Sequence, residues 1–137
     1  MQIEVEGNIG SGKTYFLKKF REYLDLKNIK GFTFYPEPIE TWTNICGENL
    51  LFNYTRDPKT YSFEMQVLIL TSLFLQRNRT QNQSTCSVYE RSIYSANQVF
   101  QAFLFNSNKL TNTQKMLQWC LKDCGLRNGL QNPPKRL

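Results

Sequence analysis

The sequence predicts a three-layer α/β fold around a parallel sheet, and three observations predict it. Short apolar or alternating runs recur between longer stretches of helical periodicity. The first run, Gln2-Ile3-Glu4-Val5-Glu6, leads straight into a glycine-rich turn and an amphipathic stripe, the opening of a βαβ unit. No internal repeat breaks this order, and 137 residues with 40% hydrophobic and 14% aromatic content suffice for one domain with a sizeable core.

Taken in order, residues 2–6 alternate as a half-buried strand does. After the glycine-rich turn, Phe16, Phe20 and Leu24 fall at i, i+4 and i+8 with Leu17 beside them, which predicts the buried stripe of a first helix. Gly31-Phe32-Thr33-Phe34-Tyr35 predicts a second strand, stopped by Pro36 and Pro38. Residues 39–53 predict a loop and a short helix. Asp57-Pro58 is a helix start, Asp as cap and Pro at the first helical position, and the helix over 58–79 is apolar nearly all round in its middle. That pattern predicts a buried central helix.

A polar break at 81–84 precedes a third strand over 85–89, which runs into Glu90-Arg91-Ser92 and a helix over 92–105. Asn106-Ser107-Asn108 is a turn. Thr111 and Gln114 then form a capping box for a last helix ending near Lys122. From there the periodicity stops. Residues 1–124 are expected to form the domain, and 125–137 a tail of loop or disorder.

Composition narrows the chemistry. The net charge of +6 suits an anionic small ligand, but no basic run or recognition motif points to a nucleic-acid polymer. The absence of histidine excludes His-based catalysis and His metal ligation. Cys46, Cys86, Cys120 and Cys124 lack the paired spacing of a zinc site and are expected as reduced thiols packed in the core. The longest apolar stretch, Val67 to Leu75, is too short to span a bilayer, so no membrane association is expected. A phosphate-loop pattern beginning at residue 7 leaves no room for a leader, so a cytoplasmic location is expected, with a mitochondrial one as the alternative where a leader lies upstream.

The chemistry starts at Gly7-Asn8-Ile9-Gly10-Ser11-Gly12-Lys13-Thr14, a G-x-x-x-x-G-K-[ST] loop. The glycines let successive backbone N–H groups turn inward on an anion, and the helix that follows adds the positive end of its dipole. Lys13 brings a charge to the terminal phosphates, and the Thr14 hydroxyl can hold Mg²⁺. A strand before and a helix after supply the context that the pattern requires.

Further clusters stand where a parallel sheet collects ligands, at the carboxyl ends of its strands. Glu37 follows the second strand, as a general base, a metal ligand or a solvated loop residue. Glu90-Arg91-Ser92 follows the third, either with Glu90 as a metal-holding acid and Arg91 as a phosphoryl clamp or with Glu90 and Ser92 as a helix-capping pair beside a surface arginine. On the central helix Gln66, Ile69, Leu70 and Leu73 share a face, and Ala96, Val99, Phe100 and Phe103 share one on the next. Those faces make either a slot for a nucleobase, read by the Gln66 amide, or an ordinary core pair.

Glu6 to Thr14, Glu37-Pro38-Ile39-Glu40-Thr41-Trp42, Phe63-Glu64-Met65-Gln66 and Glu90-Arg91-Ser92-Ile93-Tyr94-Ser95 occur in the order found in deoxynucleoside kinases. Over roughly residues 2–122 the chain resembles that family, in particular its branch of mitochondrial-type thymidine kinases and insect multisubstrate enzymes. The resemblance implies a P-loop kinase fold and Mg²⁺-dependent transfer of the γ-phosphoryl group of ATP to the 5′-hydroxyl of a deoxynucleoside, a salvage reaction.

By the same match Lys13, Glu37 and Arg91 are the catalytic set, with Glu37 the base and Arg91 stabilising the transferred group. Gly7, Asn8, Ile9, Gly10, Ser11, Gly12, Lys13 and Thr14 hold the donor phosphates, and Thr14 and Glu90 the metal. Gln66 bonds the base, Trp42 and Phe100 enclose it, and Ile69, Leu73 and Ala96 line its exocyclic side. Glu37 and Arg91 also belong to the nucleoside-binding set, Arg91 helping to hold Glu37. A small residue at Ala96 is similar to the thymidine and pyrimidine branch, since relatives preferring deoxycytidine and purines carry Asp there.

Two positions depart from the pattern. The family's sugar-binding Tyr matches Thr55 when counted back from Pro58, with Tyr54 one place earlier. After the last helix, family members continue with a further strand and an arginine-rich lid, which residues 127–137 do not match, so the chain is expected to be a truncated form. The family's usual homodimer is the expected assembly. A second reading of the same residues is a nucleotide- or nucleoside-binding fragment without turnover that pairs with a full-length relative. A GTPase is disfavoured, because no N-K-x-D follows a strand.

Overall fold

Alternation along three short segments builds the sheet. The computed structural model describes residues 1–80 and 86–96, with Asn106, Thr111 and Gln114. In order these form β1 (Gln2–Val5), α1 (Lys13–Leu26), β2 (Phe32–Tyr35), α2 (Ile39–Thr43), α3 (Leu50–Arg56), α4 (Pro58–Thr80), β3 (Cys86–Glu90) and α5 (Ile93–Ser95). The described strands form a parallel sheet in the order β1-β3-β2. Such neighbours need long crossovers, and α1 and α4 supply them.

Register sorts the side chains. Val88 lies opposite both Ile3 and Phe34, and Tyr89 opposite Glu4 and Tyr35. On one face Leu17 of α1 closes over Cys86 and Val88, with Ile3, Val5, Phe20, Phe32 and Phe34 around them. On the other, Tyr35 stacks on Tyr89 with centroids 4.9 Å apart, and Arg77 of α4 lies over the Tyr89 ring at 4.7 Å while pairing with Glu4 at 2.5 Å. Helices therefore cover both faces, as the three-layer prediction requires. All of β3 is buried, since it is central and covered on both sides.

The first helix departs from the predicted stripe. Lys13, Leu17 and Leu24 are its buried residues, and Phe20 is half-buried. Phe16 is 54% exposed, stacking on Phe20 with centroids 6.0 Å apart. One helical position is about 100° of rotation, so the inward face passes through Leu17 and leaves Phe16 at its border.

Residues 39–56 hold two helices where one was predicted. Between them Ile45 and Glu48 exchange backbone hydrogen bonds around Cys46 and Gly47, which take φ of +52° and +84°. This turn leaves Cys46 exposed instead of packed in the core as expected, whereas Cys86 is buried. The Asn49 side chain then accepts from Phe52 N at 2.9 Å and caps α3. Helix α4 begins at Pro58 as predicted, Asp57 Oδ1 accepting from Thr60 N at 3.2 Å. Its middle is less uniformly buried than predicted: Met65, Gln66, Leu70, Ser72 and Leu73 are buried, whereas Leu75 is 46% exposed.

The predicted capping box is present, Thr111 N donating to Gln114 Oε1 at 2.9 Å and Gln114 N to Thr111 Oγ1 at 3.2 Å. The body of the helix predicted over 92–105, the last helix, Cys120, Cys124 and the tail at 125–137 lie outside the described residues. No helix among the described residues is long and apolar enough to cross a membrane.

Candidate active site

The carboxyl ends of the three strands collect the chemistry. From β1 the chain enters the glycine-rich loop, where Gly10 and Gly12 take φ of +77° and +87°, left-handed values that a side chain resists. Among the described residues, no atom beyond their own chain neighbours lies within 4 Å of where a Cβ would stand at either position. Gly12 is also the N-cap residue of α1 and offers no side-chain cap, so the helix start is left to backbone N–H groups. Lys13 is buried at 8% exposure, its Nζ donating to Gly7 O at 3.0 Å and Asn8 O at 2.9 Å. The lysine thus braces the loop from within.

Alternation along β3 delivers the next group. Cys86 and Val88 face α1, and Glu90, two places on, takes the same side at the first turn of that helix. There Thr14 Oγ1 donates to Glu90 Oε1 at 2.5 Å. A hydroxyl and a carboxylate side by side form a hard-oxygen donor pair suited to Mg²⁺, which takes one or two protein oxygens and completes its shell with phosphate and water. Among the described residues no group of three or more acidic, Cys or His side chains forms a fuller metal site. The loop and this pair fit a nucleotide phosphate with its Mg²⁺.

Glu37 arrives from β2. Gln76 of α4 ties down the end of that strand, its Nε2 donating to Pro36 O at 2.8 Å. Pro38, at φ −78° and ψ 56°, then closes an inverse γ-turn in which Ile39 N donates to Glu37 O at 2.8 Å. The Glu37 side chain is 14% exposed and accepts from Arg91 Nε, whose own side chain is 7% exposed. Arg91 reaches it from a left-handed backbone, φ +73°, just past β3. Next to it, Ser92 Oγ accepts from Ser95 N at 3.0 Å, so the capping role considered for this segment is filled by Ser92 while Glu90 and Arg91 turn to the site.

Of the residues expected to line a base, Ile69, Leu73 and Ala96 are brought together between α4 and the end of α5. Gln66 is 4% exposed, and its Oε1 has no hydrogen-bond partner among the described residues. Leu70, Leu73 and Ala96 form one buried cluster, with Ile69 and Ile93 packed against it. Trp42 is 5% exposed, its Nε1 donating to Ser72 Oγ at 2.9 Å, and Ser72 in turn donates to Ile69 O at 3.0 Å. On α3 the Thr55 hydroxyl is taken by Phe52 O at 2.7 Å in its own helix, whereas Tyr54 is half-buried. Phe100 lies outside the described residues.

Comparison with known proteins decides the family. A model of the deoxynucleoside kinase family matches residues 3–124. The chain belongs to the deoxynucleoside kinases.

Among similar kinases, the human protein named thymidine kinase 2, mitochondrial, is 32% identical over 108 residues, 79% of this chain and 38% of its own length. A thymidine kinase of Ictalurid herpesvirus 1 is 37% identical over 97 residues, 70% of this chain and 39% of its own. The deoxyadenosine kinase of Dictyostelium discoideum is 30% identical over 132 residues, covering 96% and 48%. The chain spans less than half the length of each of these relatives.

Two residues of this kinase-family site carried no assigned role in the sequence. Glu6 appears there as the end of a strand and the first residue of the glycine-loop motif, with no role of its own, yet its Oε1 accepts from Ser92 N at 2.8 Å, across 86 positions of sequence. Ser72 is one hydroxyl in an apolar helix. Its only signal is that a buried hydroxyl needs a partner, and the Trp42 indole is that partner.

Proposed function

We propose that this chain phosphorylates the 5′-hydroxyl of a deoxynucleoside, with ATP as donor and a pyrimidine nucleoside, thymidine or deoxycytidine, as acceptor. The observation that carries this reading is the contact between the half-buried Glu37 and the buried Arg91 at the carboxyl end of the sheet. A carboxylate placed there takes the proton of the attacking hydroxyl, and the guanidinium beside it stabilises charge on the group in flight. The loop backbone from Gly7 to Gly12 cradles the donor phosphates. Lys13 gives up a carbonyl partner to reach them, and Thr14 and Glu90 hold the cation. Held by Thr14 and Glu90, Mg²⁺ would supply positive charge to the phosphoryl oxygens.

The buried carboxamide of Gln66 supports the acceptor half of the reading. Its oxygen, without a partner among the described residues, suits the hydrogen-bonding edge of a base, and its amide offers donors as well. Ile69, Leu73 and Ala96 then shape the space for the exocyclic groups, with Trp42 and Phe100 enclosing the ring and Tyr54 serving the sugar. The small side chain of Ala96 leaves room for a substituted pyrimidine. This discrimination rests on shape, worth about 1–3 kcal/mol for a methyl-sized difference.

The test is a substrate panel. Purified chain assayed with ATP and Mg²⁺ is expected to give its highest kcat/KM with thymidine or deoxycytidine. A higher kcat/KM with purine deoxynucleosides overturns the pyrimidine assignment, and no transfer to any of them overturns the kinase reading for this chain.

A further inference from the structure

Arg91 reaches Glu37 only because its backbone is held in the left-handed region, at φ +73°. For a residue with a Cβ that conformation costs free energy and persists only where its surroundings enforce it. Both peptide groups around Arg91 are clamped from the same short stretch of chain. Arg91 N donates to Val5 O at 3.0 Å, the last rung of the pairing between β1 and β3. Ser92 N, one residue on, donates to Glu6 Oε1 at 2.8 Å.

The first clamp is ordinary sheet pairing, present whatever side chain stands at position 5. The second is a side chain. Without it Ser92 N loses a charged acceptor, and the backbone past Val5 is free to relax toward a right-handed turn. Such a change in φ swings the guanidinium away from the end of β2. Glu6 also stands directly before Gly7, so the residue that clamps Ser92 also sets where the phosphate loop departs from the sheet.

We propose that Glu6 is a positioning residue of the kinase site: as hydrogen-bond acceptor for Ser92 N, it locks Arg91 in its left-handed conformation and thereby holds the guanidinium on Glu37 at the edge of the phosphate loop. The proposal rests on the roles given above to Arg91 and Glu37. What matters is the place of an acceptor oxygen and not the charge. Glu6→Gln keeps an Oε1 in that place. Glu6→Asp keeps the charge but withdraws the oxygen by one methylene, and Glu6→Ala removes it.

Steady-state kinetics and the Arg91 Nε–H resonance in ¹H–¹⁵N spectra read this on the full chain, with a thermal melt to confirm folding of each variant. Glu6→Gln is expected to match the parent. Glu6→Asp and Glu6→Ala are expected to lose about 100-fold in kcat, the scale of a misplaced catalytic group, with the KM for nucleoside unchanged. The slowly exchanging Nε–H signal expected of the Arg91–Glu37 contact should persist in Glu6→Gln and vanish in Glu6→Asp. A Glu6→Asp chain with parental kcat and an intact signal overturns the proposal, as does a Glu6→Gln chain as impaired as Glu6→Ala. Should the parent transfer no phosphoryl group, the kinase reading falls, while the resonance still reports whether Glu6 holds Arg91.

Discussion

Arg91 Nε donates to the Glu37 carboxylate across the carboxyl edge of the sheet, joining the end of β3 to the end of β2 over 54 positions of sequence. Removing either partner leaves a charge without this contact, half-buried at Glu37 and buried at Arg91. Glu37→Gln keeps the shape and removes the base, so turnover is expected to fall by about 10²–10⁴-fold in a steady-state assay. Arg91→Lys is also expected to fail, because an ammonium lacks the planar fork that meets a carboxylate and a phosphoryl oxygen together.

Gln66 separates binding from stability. Its buried Oε1 lacks a partner among the described residues, so in the free chain it is a cost to folding. Gln66→Met has similar volume and no polar atoms. Its melting temperature is expected to equal or exceed the parent's, while calorimetry should show nucleoside affinity reduced by about 1–3 kcal/mol, the penalty for a base edge left unpaired. A melting temperature well below the parent's contradicts this.

Ser72 stands under the Trp42 indole. Ser72→Ala leaves a buried N–H without an acceptor, at a cost of about 1–3 kcal/mol by chemical denaturation. Ser72→Thr keeps the hydroxyl and should recover most of that loss. In a Trp119→Phe background the emission of Trp42 reports directly whether its surroundings have changed.

Cys86 and Cys46 are expected to differ in reactivity. Burial in β3 pushes the Cys86 thiol up from its ordinary value, while Cys46 is exposed at the turn between α2 and α3. Near pH 8, brief alkylation followed by peptide mapping should label Cys46 and spare Cys86. A thiol whose pKa is raised on folding leaves stability unaffected at low pH and weakens it once the unfolded chain gives up the proton that the folded chain keeps. Stability should therefore decline as pH rises past about 8.5, and Cys86→Ala should soften that decline.

The parts legible in the sequence were those fixed by local rules. Gly7 to Thr14 needs only its spacing and flanks, Asp57-Pro58 starts α4 as caps and prolines do, and Thr111 with Gln114 closes a reciprocal box. Glu37, Gln66, Glu90 and Arg91 were visible as candidates, because strand ends and helix faces follow from periods of 2 and 3.6 residues. The rest depended on what those periods do not carry. Whether Phe16 or Leu17 faces the sheet turns on where β3 lies, not on which side chain is more apolar. The left-handed turn at Arg91 leaves no compositional mark, since no glycine or asparagine stands there. Glu6 and Ser72 act through single hydrogen bonds to distant partners, which only the assembled sheet and helices bring within reach.

The central claim is that the groups gathered at this sheet edge direct a phosphoryl group to a nucleoside hydroxyl. Following ATP and thymidine by ³¹P NMR with the purified chain tests it most directly. Each ADP formed is expected to be matched by one thymidine 5′-monophosphate, with Glu37→Gln suppressing both together. ADP accumulating with inorganic phosphate and no nucleoside monophosphate, or monophosphate formed equally well by Glu37→Gln, would contradict it.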